Sequence, residues 1–129
     1  MIALDTSVVV RFLVNDDPAQ GRRARELIGE NETFIATTVL LECEWVLRSA
    51  YGMTTEDIGR LFRGLLGLIS VRTESPARIL RALEAFDSGL DFAGALHLAH
   101  SDVADSFASF DRNLVRRTRN LGLGDVIAL

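Results

Sequence analysis

The sequence contains no lysine; all 14 basic residues are arginine. That excludes mechanisms built on a lysine amine, among them Walker-type phosphate loops and Schiff-base chemistry. Cysteine occurs once, at Cys43. No internal disulfide can form, and its place in the largely apolar stretch Val39 to Leu47 reads as a small core residue. No apolar run approaches the ~18 residues of a membrane span. The N-terminus lacks the basic region and cleavage site of a secretory leader. The expectation is a soluble, cytoplasmic protein with no membrane partner.

What is present is ordinary for a globular protein: 129 residues, of which 48% are hydrophobic and 25% charged. That length suits one domain, residues 1–129, with a real core. The net charge of −4 argues against non-specific coating of nucleic acid but permits a local basic patch. Arg112, Arg116, Arg117 and Arg119 form one near the C-terminus. Such a cluster reads either as a solvated helix end or as a set of phosphate contacts.

The chain is organised around Met1 to Ser7. Ile2, Ala3 and Leu4 form a short apolar run of the kind a buried parallel strand shows, and Asp5 ends it. An acid there points to the crevice outside the strand's carboxyl edge, where open α/β sheets place ligands. The alternative is a helix N-cap, since Asp is favoured at that position.

Further along, Ser7 to Val14 reads as a short helix, and Pro18 suits the first turn of a second one. A strand is expected over Thr33 to Ala36. Thr37-Thr38 would cap a helix running to about Ala50, and Thr54 another to about Gly67. In the latter, Ile58, Leu61, Phe62, Leu65 and Leu66 predict either core packing or a partner surface. A strand at Leu68 to Val71 and a helix from Ser75-Pro76 to Phe86 follow. Asp91 caps a helix from Phe92 to His100. Ser106 to Phe110 reads as an edge strand, Arg112 to Arg119 as a helix, and Val126-Ile127 as the last strand. Strands alternating with helices predict an α/β fold with a central parallel sheet between helices.

Four acids share a location in this scheme. Asp5, Glu42, Asp91 and Asp111 each lie at or within a turn of a helix start that follows a strand or loop. Glu44 has a structural partner in Arg48 at i+4, whereas Glu42 has no cation in helical reach. One such acid is a cap. Four that converge would be a negative cluster tolerable mainly around a cation, and hard oxygen donors imply Mg²⁺ or Mn²⁺ rather than zinc. His97 and His100, three apart and without a third ligand, read as interior or interfacial residues.

With these residues placed, the sequence resembles the PIN-domain ribonucleases, specifically the VapC toxins of bacterial toxin–antitoxin pairs. The carriers are Leu4-Asp5-Thr6-Ser7, Thr38-Val39-Leu40-Leu41-Glu42, Asp91-Phe92-Ala93-Gly94-Ala95-Leu96-His97-Leu98-Ala99, and Ser109-Phe110-Asp111-Arg112-Asn113-Leu114. Each is weak alone, and the ordered set is specific. The resemblance implies that Asp5, Glu42 and Asp111 are catalytic, metal-binding carboxylates, and Asp91, close to the same site, is assigned with them as a catalytic and metal-binding residue. The hydroxyls of Thr6 and Ser109 would support the ligands, and Arg112, Arg116 and Arg117 would bind RNA. It further implies a structured RNA substrate (tRNA or rRNA), a homodimer and a VapB-like antitoxin, operator DNA being reached only through that antitoxin.

One position departs from the family pattern. Its third motif usually reads Asp-Phe-Ala-Asp-Ala-Leu, with the second Asp as metal ligand, and here Gly94 stands there. Ser7 also replaces a common Asn. On the sequence, Gly94→Asp is expected to tighten metal binding, speed cleavage and raise stability with metal present. Two further readings follow. A degenerate domain would bind antitoxin or RNA without efficient cleavage. A haloacid-dehalogenase-type phosphotransferase would use Asp5 as nucleophile, but it would want a second Asp where Ser7 stands and a lysine that the chain lacks.

Overall fold

The apolar run that opens the chain becomes a short strand, β1 (Ile2–Ala3), in the computed structural model, which describes residues 1–129. After it come α1 (Thr6–Leu13), α2 (Pro18–Glu30), β2 (Thr33–Ile35), α3 (Thr37–Ser49), α4 (Thr55–Leu66) and β3 (Val71–Thr73). The remainder forms α5 (Pro76–Asp87), α6 (Phe92–Ala99), β4 (Ser106–Ser109), α7 (Arg112–Thr118) and β5 (Asp125–Ala128). The α/β class with parallel strands is thus borne out. The chain divides into two units, Met1–Glu74 and Ser75–Leu129.

In the first unit the strands are ordered β1-β2-β3, all parallel, with Ile2 opposite Thr33 and Thr33 opposite Val71. Central β2 buries Thr33 and Ile35 completely. β1 differs from expectation. Ile2 and Ala3 are exposed and only Leu4 is buried, because β1 is the edge of this sheet. Leu4 extends the pairing by donating its N–H to the Phe34 carbonyl at 2.9 Å.

The helices are set by local chemistry. Pro18 opens α2, and the Asp17 carboxylate accepts the Gln20 N–H at 3.0 Å. Ala24 and Ile28 form the buried stripe of that helix. Thr54 caps α4, accepting the Asp57 N–H at 3.2 Å. Ile58, Phe62 and Leu65 of α4 are buried while Leu61 and Leu66 are half-buried, so the broad apolar face of this helix is core.

Two expectations fail here. Thr37 and Thr38 do not cap α3. Ala36 occupies the cap position, and the Thr37 N–H donates instead to Glu74 Oε1 at 2.9 Å. A carboxylate 37 residues away in sequence does the capping, which helical spacing cannot reveal. The strand expected at Leu68 to Val71 begins only at Val71, because Leu68 to Ser70 form a turn closed by the Val71 N–H on the Leu68 carbonyl. Ile69, apolar but 97% exposed, sits on that turn. Arg72 on the resulting edge strand pairs with Glu32 at 3.0 Å.

In the second unit α5 and α6 pack together through Phe86 and Phe92, whose rings meet edge-on at 5.2 Å. β4 and β5 form a parallel pair, with Phe107 opposite Val126 and Ser109 opposite Ala128. Leu114 and Val115 anchor α7. No helix of the chain is long and apolar enough to cross a membrane.

Candidate metal centre and nucleic-acid interface

In the first unit, β1 delivers Asp5 to the start of α1. The Asp5 carbonyl accepts the N–H groups of Val8 and Val9, so the backbone does the capping. Its carboxylate makes no cap bond of its own and instead accepts the Ser7 hydroxyl at 2.8 Å. That hydroxyl holds Asp5 below the usual carboxylate range, and the backbone N–H groups of Ser7 and Thr6 act in the same direction. Asp5 is therefore an exposed, firmly ionised carboxylate with no cation beside it. Ser7, which stands where the family pattern has Asn, is the residue that orients it. Thr6 is buried at the first position of α1.

Glu42 rides the second turn of α3, whose N-terminus follows β2 with one intervening residue. It is exposed and forms no hydrogen bond or ion pair. That Asp5 and Glu42 face one region is registered by a third residue. Burial first, and then the charges of Glu42 and Asp5, push the Cys43 thiol up to about 12. Cys43 is thus a buried, inert thiol, as expected of a core residue.

Glu44 behaves differently from its neighbour. It is 3% exposed, and its carboxylate accepts Arg48 Nε at 2.9 Å. The i,i+4 partnership holds, but it is a half-buried ion pair and not a solvated one. Glu44→Gln is therefore expected to lower stability by about 1–3 kcal/mol, the range for losing a charged hydrogen bond from a buried group. Thermal unfolding measures it, and an unchanged Tm would show that Gln keeps the contact in full. Cleavage should stay at the wild-type rate.

In the second unit, Asp91 and Asp111 occupy equivalent positions at two helix starts. Asp91 is the N-cap of α6, with Oδ2 accepting the Gly94 N–H at 3.1 Å. Asp111 follows β4 and caps α7, with Oδ1 accepting the N–H groups of Asn113 at 3.0 Å and Leu114 at 3.1 Å. Oδ2 of Asp111 makes neither of these bonds. Ser109, at the end of β4, accepts the Asp111 N–H on its hydroxyl at 2.9 Å and so fixes the turn that presents the acid. Asp91 is likewise left with one oxygen, Oδ1, outside its cap bond.

Gly94 joins the two helix starts. A Cβ there would lie 2.7 Å from Asp91 Oδ1 and 2.8 Å from Leu114 Cδ1. Glycine is what allows α6 to approach α7 this closely. An aspartate at 94 therefore requires the ends of the Asp91 and Leu114 side chains to move aside.

The arginines divide. Arg112 is exposed and forms no hydrogen bond or ion pair. The Arg116 guanidinium donates to Asn113 Oδ1, and that of Arg117 occupies the space that a Cβ at Gly89 would need. His97 is exposed, not interior, and His100 bonds the Leu96 carbonyl at 3.0 Å.

The structure thus places Asp5 and Glu42 in one unit, both acting on the Cys43 thiol, and Asp91 and Asp111 at neighbouring helix starts in the other. Neither unit by itself gathers three or more His, Cys, Asp or Glu side chains able to hold a metal ion. The donor set is nevertheless suited to a hard divalent cation, because Asp5 and Glu42 are carboxylates without a counterion. Two contributors were not read from the sequence. Ser7 could have been, since a hydroxyl two residues past a capping Asp can return to it. Glu74 at the head of α3 could not.

The model of the PIN domain family matches residues 2–120. Members of that family are in general metal-dependent nucleases. No curated protein matches the chain.

Proposed function

The chain belongs to the PIN domain family, and on that footing we propose that it is an endoribonuclease dependent on Mg²⁺ or Mn²⁺. We place it in the cytoplasm as the toxin of a VapBC-type pair, a homodimer cutting structured RNA such as tRNA or rRNA. The observation that carries this reading is the pair of counterion-free carboxylates, Asp5 and Glu42, at the sheet's carboxyl edge. In the second unit, Asp111, with one oxygen outside its cap bonds, and Asp91 are the further carboxylates that we assign to metal on the family pattern. A divalent cation held there supplies positive charge to a phosphodiester and acidifies water. The chain's own part is orientation. Ser7 holds the Asp5 carboxylate ionised and aimed, and Ser109 fixes the backbone at Asp111.

Arg112 is the arginine assigned most directly to RNA phosphate, being unpaired. Arg116 and Arg117 would first have to leave contacts within the protein. Arg112→Gln should therefore lower the slope of log affinity against log salt by roughly one unit. Arg116→Gln and Arg117→Gln should each lower it by less. An unchanged slope for Arg112→Gln would assign the patch to a solvated helix end.

The antitoxin half of the proposal draws on a groove of about 410 Å³ beside Ser7, lined by Val8, Arg11, Arg23, Ala24 and Leu27. Its apolar floor and Arg23 suit an acidic, partly apolar segment of a VapB-like partner, which in turn would carry the operator-DNA contact, whereas Arg11 is already paired with Asp16 at 3.3 Å. The decisive experiment is expression of the chain alone and with the product of a small neighbouring reading frame. Growth arrest with metal-dependent RNA cleavage, both relieved by that product, is the expected result. Cleavage without arrest or relief would leave a nuclease outside a toxin pair.

A second reading has a specific observation behind it. Gly94 supplies no carboxylate and Asp91 spends one oxygen on its cap, so the site has fewer free donors than the family pattern. A domain that binds antitoxin or RNA and cuts poorly fits that arrangement. Cleavage by the purified protein with Mn²⁺ separates the two readings.

A further inference from the structure

An exposed phenylalanine is by itself ordinary, but Phe110 has a particular setting. Along β4 and into the turn, Phe107 and Ser109 face inward while Phe110 faces out, with 80% of its surface exposed. Leaving this ring in water forgoes the stabilisation that burial would give it. It stands at the carboxyl end of a parallel strand, the edge at which α/β sheets bind ligands. The next residue is Asp111, and the one after is Arg112, with its guanidinium unpaired. An aromatic face, a carboxylate and a free cation therefore occupy three successive positions.

The turn carrying them is fixed on both sides. The Ser109 carbonyl accepts the Leu129 N–H at 3.0 Å, and its hydroxyl accepts the Asp111 N–H at 2.9 Å. Asp111 is in turn tied to α7 through Asn113 and Leu114. The backbone at Phe110 is held between two anchored neighbours, so little backbone freedom is lost on meeting a ligand, which favours binding.

We propose that Phe110 is a stacking platform for an unpaired nucleobase, placing single-stranded RNA beside Asp111 while Arg112 takes a neighbouring phosphate. This rests on the reading of the chain as a ribonuclease and adds a substrate requirement to it. The RNA is engaged through an unstacked base in a loop or single strand, not through a continuous duplex, whose bases offer no free face. Stacking on Phe is sequence-tolerant, so Phe110 sets affinity and position and not base identity.

The test uses fluorescence anisotropy in EDTA with two labelled probes of equal charge, a ten-nucleotide single-stranded RNA of mixed sequence and a ten-unit abasic ribose-phosphate strand. The wild-type protein should bind the intact strand more tightly. Phe110→Ala should weaken binding of the intact strand about tenfold and leave the abasic strand unchanged. Phe110→Trp should restore affinity, with its indole fluorescence quenched on binding. The side chain is exposed, so Tm should be the same for all three proteins. In the cleavage assay Phe110→Ala should raise KM while kcat holds. Equal binding of the intact strand by wild type and Phe110→Ala would overturn the proposal. So would equal losses on both probes, or an effect confined to self-association or antitoxin binding, which would make Phe110 a protein contact. In those cases RNA binding by the wild type would persist and the ribonuclease reading would stand. No binding of either probe by the wild type would overturn both.

Discussion

Asp5→Asn is expected to reduce RNA cleavage by at least about 100-fold, the scale on which metal sites respond when an anionic partner is lost. Growth arrest on expression should disappear with it. The fold should be unaffected, for three reasons visible in the structure. The helix-capping bonds at this residue come from the Asp5 carbonyl, to Val8 and Val9, and survive the change. The Ser7 hydroxyl can donate to an amide oxygen as it does to the carboxylate. The side chain is exposed, so no buried charge is stranded.

The sign of the electrostatic effect follows from the lowered pKa of Asp5. A depressed carboxylate contributes stability at pH values above its unfolded range, and the contribution is lost as pH falls through the folded value. Asp5→Asn removes that contribution, which solvent screens at an exposed carboxylate, so the neutral-pH Tm should hardly move. Glu44→Gln is the mirror case, with stability lowered and cleavage retained. If Asp5→Asn protein still cuts RNA at the wild-type rate with Mg²⁺, Asp5 is a helix-start residue and nothing more.

Gly94→Asp should lower the Tm of the metal-free protein by several degrees. In favour of the variant are a few tenths of a kcal/mol in helix propensity and about 0.3–1 kcal/mol from an acid in the first turn. Against it stand a shift of Asp91 Oδ1, the oxygen outside the cap bond, and the displacement of Leu114. That side chain is 7% exposed, and overpacking such a site costs about 1–3 kcal/mol. The new Cβ would overlap both groups, at 2.7 and 2.8 Å. The added carboxylate would also stand against that of Asp91, so Mn²⁺ should recover much of the loss. Gly94→Ala isolates the steric part, destabilising in EDTA and indifferent to Mn²⁺. Thermal scans of the three proteins in EDTA and in Mn²⁺ provide the measurement. A Gly94→Asp protein at least as stable as wild type in EDTA would mean that Leu114 and Asp91 yield freely and that position 94 has room.

Much of the local architecture was legible from residue order. Asp17-Pro18, Thr54 and Asp91 announce helix starts because a side-chain acceptor and its backbone donor lie within three residues of each other. The α4 stripe was legible because burial of one helix face imposes its own period. Where partners are distant, the same reasoning misplaced the result. Leu68-Ile69 looked like a strand, yet the ladder to β2 starts at Val71 and the apolar pair is left on a turn. β1 looked buried and is an edge.

By itself, then, the sequence determined the alternation of parallel strands and helices, the positions of Asp5, Asp91 and Asp111 at helix starts, and the exclusion of lysine chemistry. These depend on residue type and on spacings of a few positions, which the chain carries wherever it folds. Only the tertiary structure decided that Asp5 and Glu42 act on one thiol, that Glu74 caps α3, that Glu44 is buried while Glu42 is free, and that Gly94 is occupied space. Each of those is a through-space relation between segments remote in sequence. Burial and close approach are properties of what packs against a residue, and no local pattern encodes them.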